Sequence, residues 1–197
     1  VICSSGTNDL CAILLPDSGF LQEKDAEFAN RYGFSKHRPA HPLYTLADAE
    51  NALGNFTPIP VGQDHEIAQK VSVRLDPAGH ILGASIVTLT VEGKTIVFSG
   101  DLGRPNSATM VDPTPIGRAD YLVVESTYGN RHHERSDPED ALAEIVTRTA
   151  ARGGSVLIPS FAVGRAQTLL YHVQNLKETH RIPDLPVFLD SPMAINA

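Results

Sequence analysis

The chain has 197 residues, of which 42% are hydrophobic and 20% charged, a composition typical of a globular protein with a real core. Its 16 Lys and Arg against 23 Asp and Glu give a formal net charge of −7. That charge argues against a generic basic nucleic-acid binder, although bound metal ions and a few arginines can supply positive charge locally. No apolar run of about 18 residues occurs, which excludes a membrane span.

The two cysteines, Cys3 and Cys11, are too few for a disulfide framework or a four-cysteine zinc site. We expect them to be buried, reduced thiols and the protein to be cytoplasmic. The chain opens in apolar, strand-like sequence with neither an initiator methionine nor a signal peptide, and its last residues have no tail composition. These features predict an internal excerpt of a longer protein.

The first 55 residues predict short helices in polar surroundings. The first two are expected at residues 8–15 and 22–32. Thr7 is the expected cap of the first helix, and Pro16 its end, because proline removes a backbone donor. A capping box formed by Thr45 and Asp48 opens a third helix, which Gly54 closes.

A strand-rich region follows. Apolar and polar residues alternate over 71–75 and 87–91, which is the period of half-buried strands. Between two strand-like runs, Glu92 and Gly93 predict a tight hairpin turn. The short apolar runs 96–98 and 121–124 are typical of covered strands.

After Gly129 the pattern alternates between helix and strand. Helices are expected over 137–151, opened by a capping box of Ser136 and Glu139, and over 164–178, with strands at 156–158 and 187–189. This alternation predicts a parallel sheet with crossover helices. We place a domain boundary near residue 130, in a charged loop, which divides the chain into 1–129 and 130–197.

Three polar residues each follow a predicted strand: His80, Asp101 and Glu125. Taken singly, each has an ordinary structural interpretation as a turn or capping residue, but together they indicate a site, because strand ends can aim several loops at one point. An imidazole with a carboxylate suits zinc, and a carboxylate can bridge two ions about 3.5–4 Å apart. Two donors are too few for such a pair, so further ligands must lie elsewhere.

Five segments resemble motifs of the β-CASP family of the metallo-β-lactamase superfamily, in that family's order and spacing. This family includes the cleavage-and-polyadenylation endonuclease and RNA-processing relatives in bacteria and archaea. The segments are AGHILGA (78–84), FSGDLGR (98–104), ESTYG (125–129), FAVGRAQ (161–167) and LDSPMA (189–194). The resemblance implies an α/β fold: a partial metallo-β-lactamase αββα sandwich followed by the first part of an α/β β-CASP capping domain.

The resemblance also implies residue roles. His80 matches a ligand of one zinc ion, and Asp101 matches the aspartate that bridges two. Glu125 matches a catalytic acidic residue that pairs with a downstream histidine and is thought to protonate the leaving oxygen. Ser160 and Arg165 flank a helix start in the cap, where N–H groups and a guanidinium would suit an RNA phosphate. A structural salt bridge is an equally open interpretation of Arg165.

The implied function is metal-dependent phosphodiester hydrolysis, by a ribonuclease of RNA processing or degradation with zinc-bound hydroxide as the nucleophile. The implied partner is RNA, with single-stranded DNA and homodimerisation as further options, and endonuclease or exonuclease action is left open. The His-x-His-x-Asp-His motif and two later histidines of this family are absent from the 197 residues. We therefore expect ligands from outside this chain to be needed and the chain alone to be inactive.

Two alternatives remain open. The first is a small-molecule thioester or ester hydrolase on the same fold. Residues 130–197 argue against it, because such an enzyme needs no capping domain. The second is a non-catalytic RNA-binding paralogue. His132 and His133 lie close after Glu125, and a solvated loop is the expectation for them ahead of a phosphate or metal contact.

Overall fold

The computed structural model describes residues 1–132 and 137–197, which form a mixed α/β structure. His133 and Ser136, for which the sequence suggested a loop and a helix cap, lie outside the described residues. The elements in chain order are β1 (Ile2–Cys3), α1 (Ser5–Tyr32), α2 (Leu46–Leu53), β2 (Thr57–Pro58), β3 (Asp64–Ala68), β4 (Val71–Pro77), β5 (Ser85–Val91), β6 (Lys94–Phe98), β7 (Tyr121–Val123), α3 (Pro138–Ala150), α4 (Arg165–Glu178) and α5 (Pro192–Asn196).

The first helix is one continuous element of 28 residues, so the prediction of two helices broken at Pro16 was wrong. Proline costs the helix one backbone hydrogen bond, but packing on both sides of it keeps the two halves in line. Before Pro16 the helix is anchored at its start to Gly83, and after Pro16 it packs on α2 at Gly19. The cap is Ser4, whose Oγ accepts from the backbone N–H of Thr7, and not Thr7 itself.

The predicted start of α2 and the predicted end of α1 are both confirmed. The capping box of α2 is confirmed: Thr45 Oγ1 accepts from the N–H of Asp48 at 3.1 Å, and the Asp48 carboxylate accepts from the N–H of Thr45 at 2.9 Å. Gly33 ends α1 at a φ of 69°, in the left-handed region that favours glycine. Of the two cysteines, both of them unpaired, Cys3 is buried and Cys11 partly buried.

The central sheet has the order β3-β4-β5-β6-β7, antiparallel throughout except for the parallel pair β6 and β7. The predicted hairpin between β5 and β6 is confirmed: Val91 pairs with Lys94, and both turn residues between them have positive φ, 49° at Glu92 and 82° at Gly93. Ala78, Ile86 and Val97 form the core of this sheet.

The edge strand β7 is not covered as its apolar sequence predicted. Tyr121, Leu122 and Val123 are 63%, 54% and 54% exposed, although neighbouring side chains point to opposite faces of the sheet. Among the described residues β7 pairs with β6 alone and forms the sheet's edge. The strand therefore has the apolar sequence of a covered strand, but its side chains are exposed on both faces of the sheet.

The region after residue 137 forms a separate helical core. Helices α3 and α4 agree with the predicted helices to within one residue, and the buried residues between and beside them are Ala143, Val146, Leu176 and Ile182. The cap of α3 is Asp137, whose carboxylate accepts from the N–H of Glu139 at 2.9 Å, and not Ser136 as predicted. The five-residue helix α5, which the sequence did not predict, packs against α1.

The strands predicted at 156–158 and 187–189 are wrong: the described residues there adopt no regular structure. Leu157 is 91% exposed and Phe188 is 85% exposed. A strand needs a neighbour for its backbone N–H and C=O groups, and neither segment pairs with another described segment. The parallel sheet expected in this part is therefore not formed within the described residues. None of the helices described has the length and apolar character required to cross a membrane.

Candidate active site at the ends of three strands

The sheet topology brings the predicted site segments to one edge. Strands β4 and β6 run in the same direction, because each is antiparallel to β5, and β7 is parallel to β6. The carboxyl ends of all three strands therefore lie at the same edge of the sheet. His80 follows β4, Asp101 follows β6 and Glu125 follows β7.

The segments that carry His80 and Asp101 are in direct backbone contact. The N–H of Gly103 donates to the carbonyl oxygen of Ala78 at 2.8 Å. A Cβ atom on Gly103 would overlap the carbonyl oxygen of Gly79, so the two chains can approach this closely only because residue 103 lacks a side chain. His80 and Asp101 are themselves exposed, next to this contact.

The Glu125 side chain reaches across to the Asp101 segment. Its Oε1 accepts from the backbone N–H of Leu102 at 2.7 Å. The backbone N–H of Glu125 in turn donates to the hydroxyl of Ser99 at 3.0 Å, and Ser99 is only 2% exposed. All three predicted residues therefore belong to one hydrogen-bonded set of loops.

Ser99 is a positioning residue to which the sequence reasoning gave no role. Its hydroxyl accepts a hydrogen bond from the N–H of Glu125, and its own N–H donates to the carbonyl oxygen of Val123 at 2.9 Å. These two bonds hold the segment after β6 against the end of β7. The available signal was a hydroxyl residue placed between an apolar strand and a glycine. A buried hydroxyl there must find hydrogen-bond partners, and the adjacent loop supplies them.

The start of α1 fixes the loop that follows His80. The hydroxyls of Ser4 and Thr7 both donate to the carbonyl oxygen of Gly83, at 2.8 and 2.9 Å. Gly83 has a φ of 81°, and a Cβ atom there would overlap the backbone nitrogen of Thr7. Thr7, expected to cap the helix, instead binds this loop.

The donors at this edge suit a metal ion but do not complete its ligand set. A catalytic zinc commonly uses three protein ligands, and imidazole with carboxylate is a fitting combination. Within residues 1–132 and 137–197, no group of three or more His, Cys, Asp and Glu side chains could hold a metal ion. His80 and Asp101 therefore fit a metal only as members of a larger set.

Ser160 and Arg165 line one open groove of about 550 Å³ at the start of α4. Both side chains are exposed. No ion pair within 4 Å of Arg165 is present among the described residues, so the salt bridge considered for it is not found there. The groove begins beside the His80 loop, because a Cβ atom on Gly164 would lie 2.9 Å from Cγ2 of Ile81.

Comparison with known proteins identifies relatives over most of the chain, although no family model matches it. A ribonuclease of Thermus thermophilus is 40% identical over 155 residues, which are 78% of this chain and 35% of that protein. An endoribonuclease of Emericella nidulans is 35% identical, over 74% of this chain and 17% of its own length. Transcription termination factor FttA of Methanocaldococcus jannaschii is 32% identical over 96% of this chain and 29% of its own length.

The chain thus spans about a third or less of the length of these relatives. All of them are β-CASP proteins, and the segment they share with this chain includes most of its residues. Over that segment, this chain belongs to the β-CASP family of the metallo-β-lactamase superfamily.

Proposed function

We propose that this chain contributes to a metal-dependent ribonuclease that hydrolyses phosphodiester bonds in RNA processing or degradation. The observation that carries the proposal is the contact of three loops at one sheet edge. Two hydrogen bonds hold them together, one from the N–H of Gly103 to the carbonyl oxygen of Ala78 and one from the N–H of Leu102 to the Glu125 carboxylate. The names ribonuclease and endoribonuclease among the relatives support it. RNA is the proposed substrate, with single-stranded DNA as the competitor to be compared in an assay.

We further propose that residues 1–129 are part of a metallo-β-lactamase domain and that residues 130–197 begin the capping domain. Two separate cores support this division, one around Ile86 and Val97 in the sheet and one around Val146 and Leu176 between α3 and α4. The two parts touch where the hydroxyls of Thr109 and Thr168 lie 2.9 Å apart.

His80 and Asp101 are the proposed metal donors, with zinc as the ion and further ligands from outside the described residues. When bound, such an ion supplies Lewis acidity and lowers the pKa of water. Glu125 is the proposed proton donor to the leaving oxygen, and its hydrogen bond from Leu102 fixes the direction of its carboxyl group. Ser160 and Arg165 are the proposed phosphate-binding residues, since a guanidinium can bind two phosphate oxygens at once.

Substituting Glu125 separates its proton-transfer role from its contact with the Asp101 loop. In the full-length protein, Glu125→Gln should lower the rate of RNA cleavage by about 100-fold or more, the usual contribution of a positioned acid or base. Metal content should stay near normal, because the amide oxygen of glutamine can still accept from the N–H of Leu102. Cleavage of a labelled single-stranded RNA and metal analysis of the same preparation measure the two effects.

Glu125→Ala is the matched comparison, because it removes both the carboxyl group and the acceptor for Leu102. We expect it to lose metal as well as activity, since the loop that carries Asp101 is then released. Full activity of Glu125→Gln would remove this residue from the mechanism. Equal metal loss in both variants would reduce its role to holding the loop.

A further inference from the structure

A second surface, remote from the three loops that carry His80, Asp101 and Glu125, combines exposed aromatic rings with cations. It lies on the half of α1 that follows Pro16 and on the first residue after the helix. Gly19, Ala26 and Ala29 form the buried face of this half, and the aromatic residues lie on the faces that stay exposed. We call the following six residues the aromatic–basic surface: Phe20, Lys24, Phe28, Arg31, Tyr32 and Phe34.

Three rings of this surface form a cluster that no described residue covers. The Phe28 ring centroid lies 4.3 Å from that of Tyr32 and 5.7 Å from that of Phe34. These three side chains are 53%, 60% and 66% exposed. A contiguous exposed patch of large apolar side chains marks an interaction site more often than it occurs by accident.

Two rings of the aromatic–basic surface, Phe20 and Tyr32, each have a cation over them. Lys24 Nζ is 5.5 Å from the centroid of Phe20, and the Arg31 guanidinium is 5.6 Å from that of Tyr32. Both distances are within the range of a cation–π interaction. Glu27 forms an ion pair with Lys24 at 2.8 Å, so part of the Lys24 charge is neutralised, and Arg31 is the cation that contacts a ring of the cluster, Tyr32.

The loop after the helix adds further positive charge at a fixed place. Asn30 donates from Nδ2 to the carbonyl of Ala40 at 2.8 Å and accepts the N–H of Ala40 at 2.7 Å. This reciprocal pair ties the loop to α1, and the exposed side chains of Lys36 and Arg38 lie within it. Residues 24–38 carry four cations and the two acids Asp25 and Glu27, a local net charge of +2 in a chain whose net charge is −7.

We propose that the aromatic–basic surface binds single-stranded RNA by base stacking and phosphate contact. Nonspecific single-strand sites combine aromatic platforms for bases with positive charge for the backbone, and this surface has both. Lysine is depleted at the centre of protein–protein interfaces, whereas here Lys24 lies over the Phe20 ring and Lys36 is exposed in the adjoining loop. The choice of RNA rests on the proposed function, but the binding itself does not need the cleavage site.

The surface lies far along the helix from the three loops. Gly6 of α1 packs against Gly83 of the His80 loop, and Phe28 follows 22 residues later in the same helix. At 1.5 Å per residue this is a separation of about 33 Å. At the ~3.4 Å rise of a stacked strand, roughly ten nucleotides cover that distance, and a more extended single strand needs fewer. A long RNA could therefore contact both places, and a very short one only one of them.

Fluorescence anisotropy tests the proposal on the 197-residue chain. The probe is a labelled oligouridine of about twenty nucleotides, which is long enough to cover the separation between the two places. The double variant Phe28→Ala, Phe34→Ala should bind at least about fivefold more weakly, since each stacked base contributes measurably to affinity. Phe28→Tyr with Phe34→Tyr keeps both ring faces and should bind as the wild type does. Phe188→Ala, which removes a ring 85% exposed elsewhere, is the control and should have no effect.

Three further measurements distinguish a loss of RNA binding from a folding defect. Arg31→Gln should lower the slope of log affinity against log salt by about 0.7, the value for one phosphate contact on a single strand. Oligouridine containing 4-thiouridine should cross-link to the peptide that spans residues 20–38. Circular dichroism of each variant checks that α1 remains helical.

Unchanged affinity in the folded double variant would overturn the proposal. Loss of self-association in that variant, measured by sedimentation with RNA affinity unchanged, would overturn it in favour of a second copy of the chain. Failure of the proposed function is separable from both. If the full-length protein does not cleave RNA while ring-dependent binding persists, the ribonuclease proposal fails and this inference stands.

Discussion

Glu139 joins the two helices of the second core through three partners. Its carboxylate accepts from His172 Nδ1 at 2.9 Å and from Asn175 Nδ2 at 2.9 Å, and Arg181 lies 3.6 Å away. The hydrogen bond from His172, followed by that from Asn175, lowers the pKa of Glu139 below its ordinary value. A lowered carboxyl pKa stabilises the fold above the unfolded-state pKa, and this contribution is lost as the pH falls through the folded-state value.

Glu139→Gln should therefore destabilise the chain at neutral pH, by about 1–3 kcal/mol for lost hydrogen bonds to a charged group. The difference in unfolding free energy between variant and wild type should shrink as the pH falls below the ordinary glutamate pKa of about 4.3. Urea unfolding across this pH range measures it. Glu144→Gln, on an exposed position of the same helix, is the control. A difference that does not vary with pH would show that Glu139 acts through shape alone.

At the residue scale, the sequence indicated which side chains lie at the strand ends but not what they touch. His80, Asp101 and Glu125 each follow a strand in the structure, as their positions after apolar runs predicted. The hydrogen bond from Leu102 to Glu125 joins residues 23 positions apart, and no local pattern encodes it.

At the scale of elements, the contact between the His80 and Asp101 loops depends on a missing side chain. Gly103→Ala would place a methyl group on the Gly79 carbonyl and should destabilise the chain by about 1–3 kcal/mol, the usual cost of overpacking. Gly117→Ala is the matched control, because a Cβ atom there meets nothing within 4 Å. Urea unfolding of both variants measures the effect. Equal stability of the two would mean that the loops can separate without cost.

Elements fixed by neighbouring residues were predicted well, and elements fixed by distant partners were not. The turn at Glu92 and the capping box at Thr45 depend on a few adjacent residues, and both formed as expected. The segments 156–158 and 187–189 have strand-like composition, but a strand exists only where another strand pairs with it. Pro16 does not end α1, because contacts with residues distant in sequence keep the helix continuous on both sides of it.

At the scale of the whole molecule, the number of available ligands limits what this chain can do alone. His80 and Asp101 are two donors, and a full zinc shell needs more. We expect the isolated 197-residue chain to bind zinc weakly or not at all and to leave RNA intact. Equilibrium dialysis with metal analysis and an RNA degradation assay measure both. Tight, stoichiometric zinc, or cleavage that His80→Ala abolishes, would show that other residues of this chain complete the site.

The exposed edge strand β7 has a consequence for the behaviour of the chain in solution. Among the described residues, its outer side has no pairing strand, so another copy could extend the sheet there, which is a route to aggregation. Asp120 and Glu125 stand at the two ends of this run, where charges act as gatekeepers against such stacking. Both carboxylates also accept backbone hydrogen bonds, from Thr95 and from Leu102. Each carboxylate thus combines a hydrogen bond that anchors a loop with a negative charge that opposes edge-to-edge pairing, and substitution by alanine removes both at once.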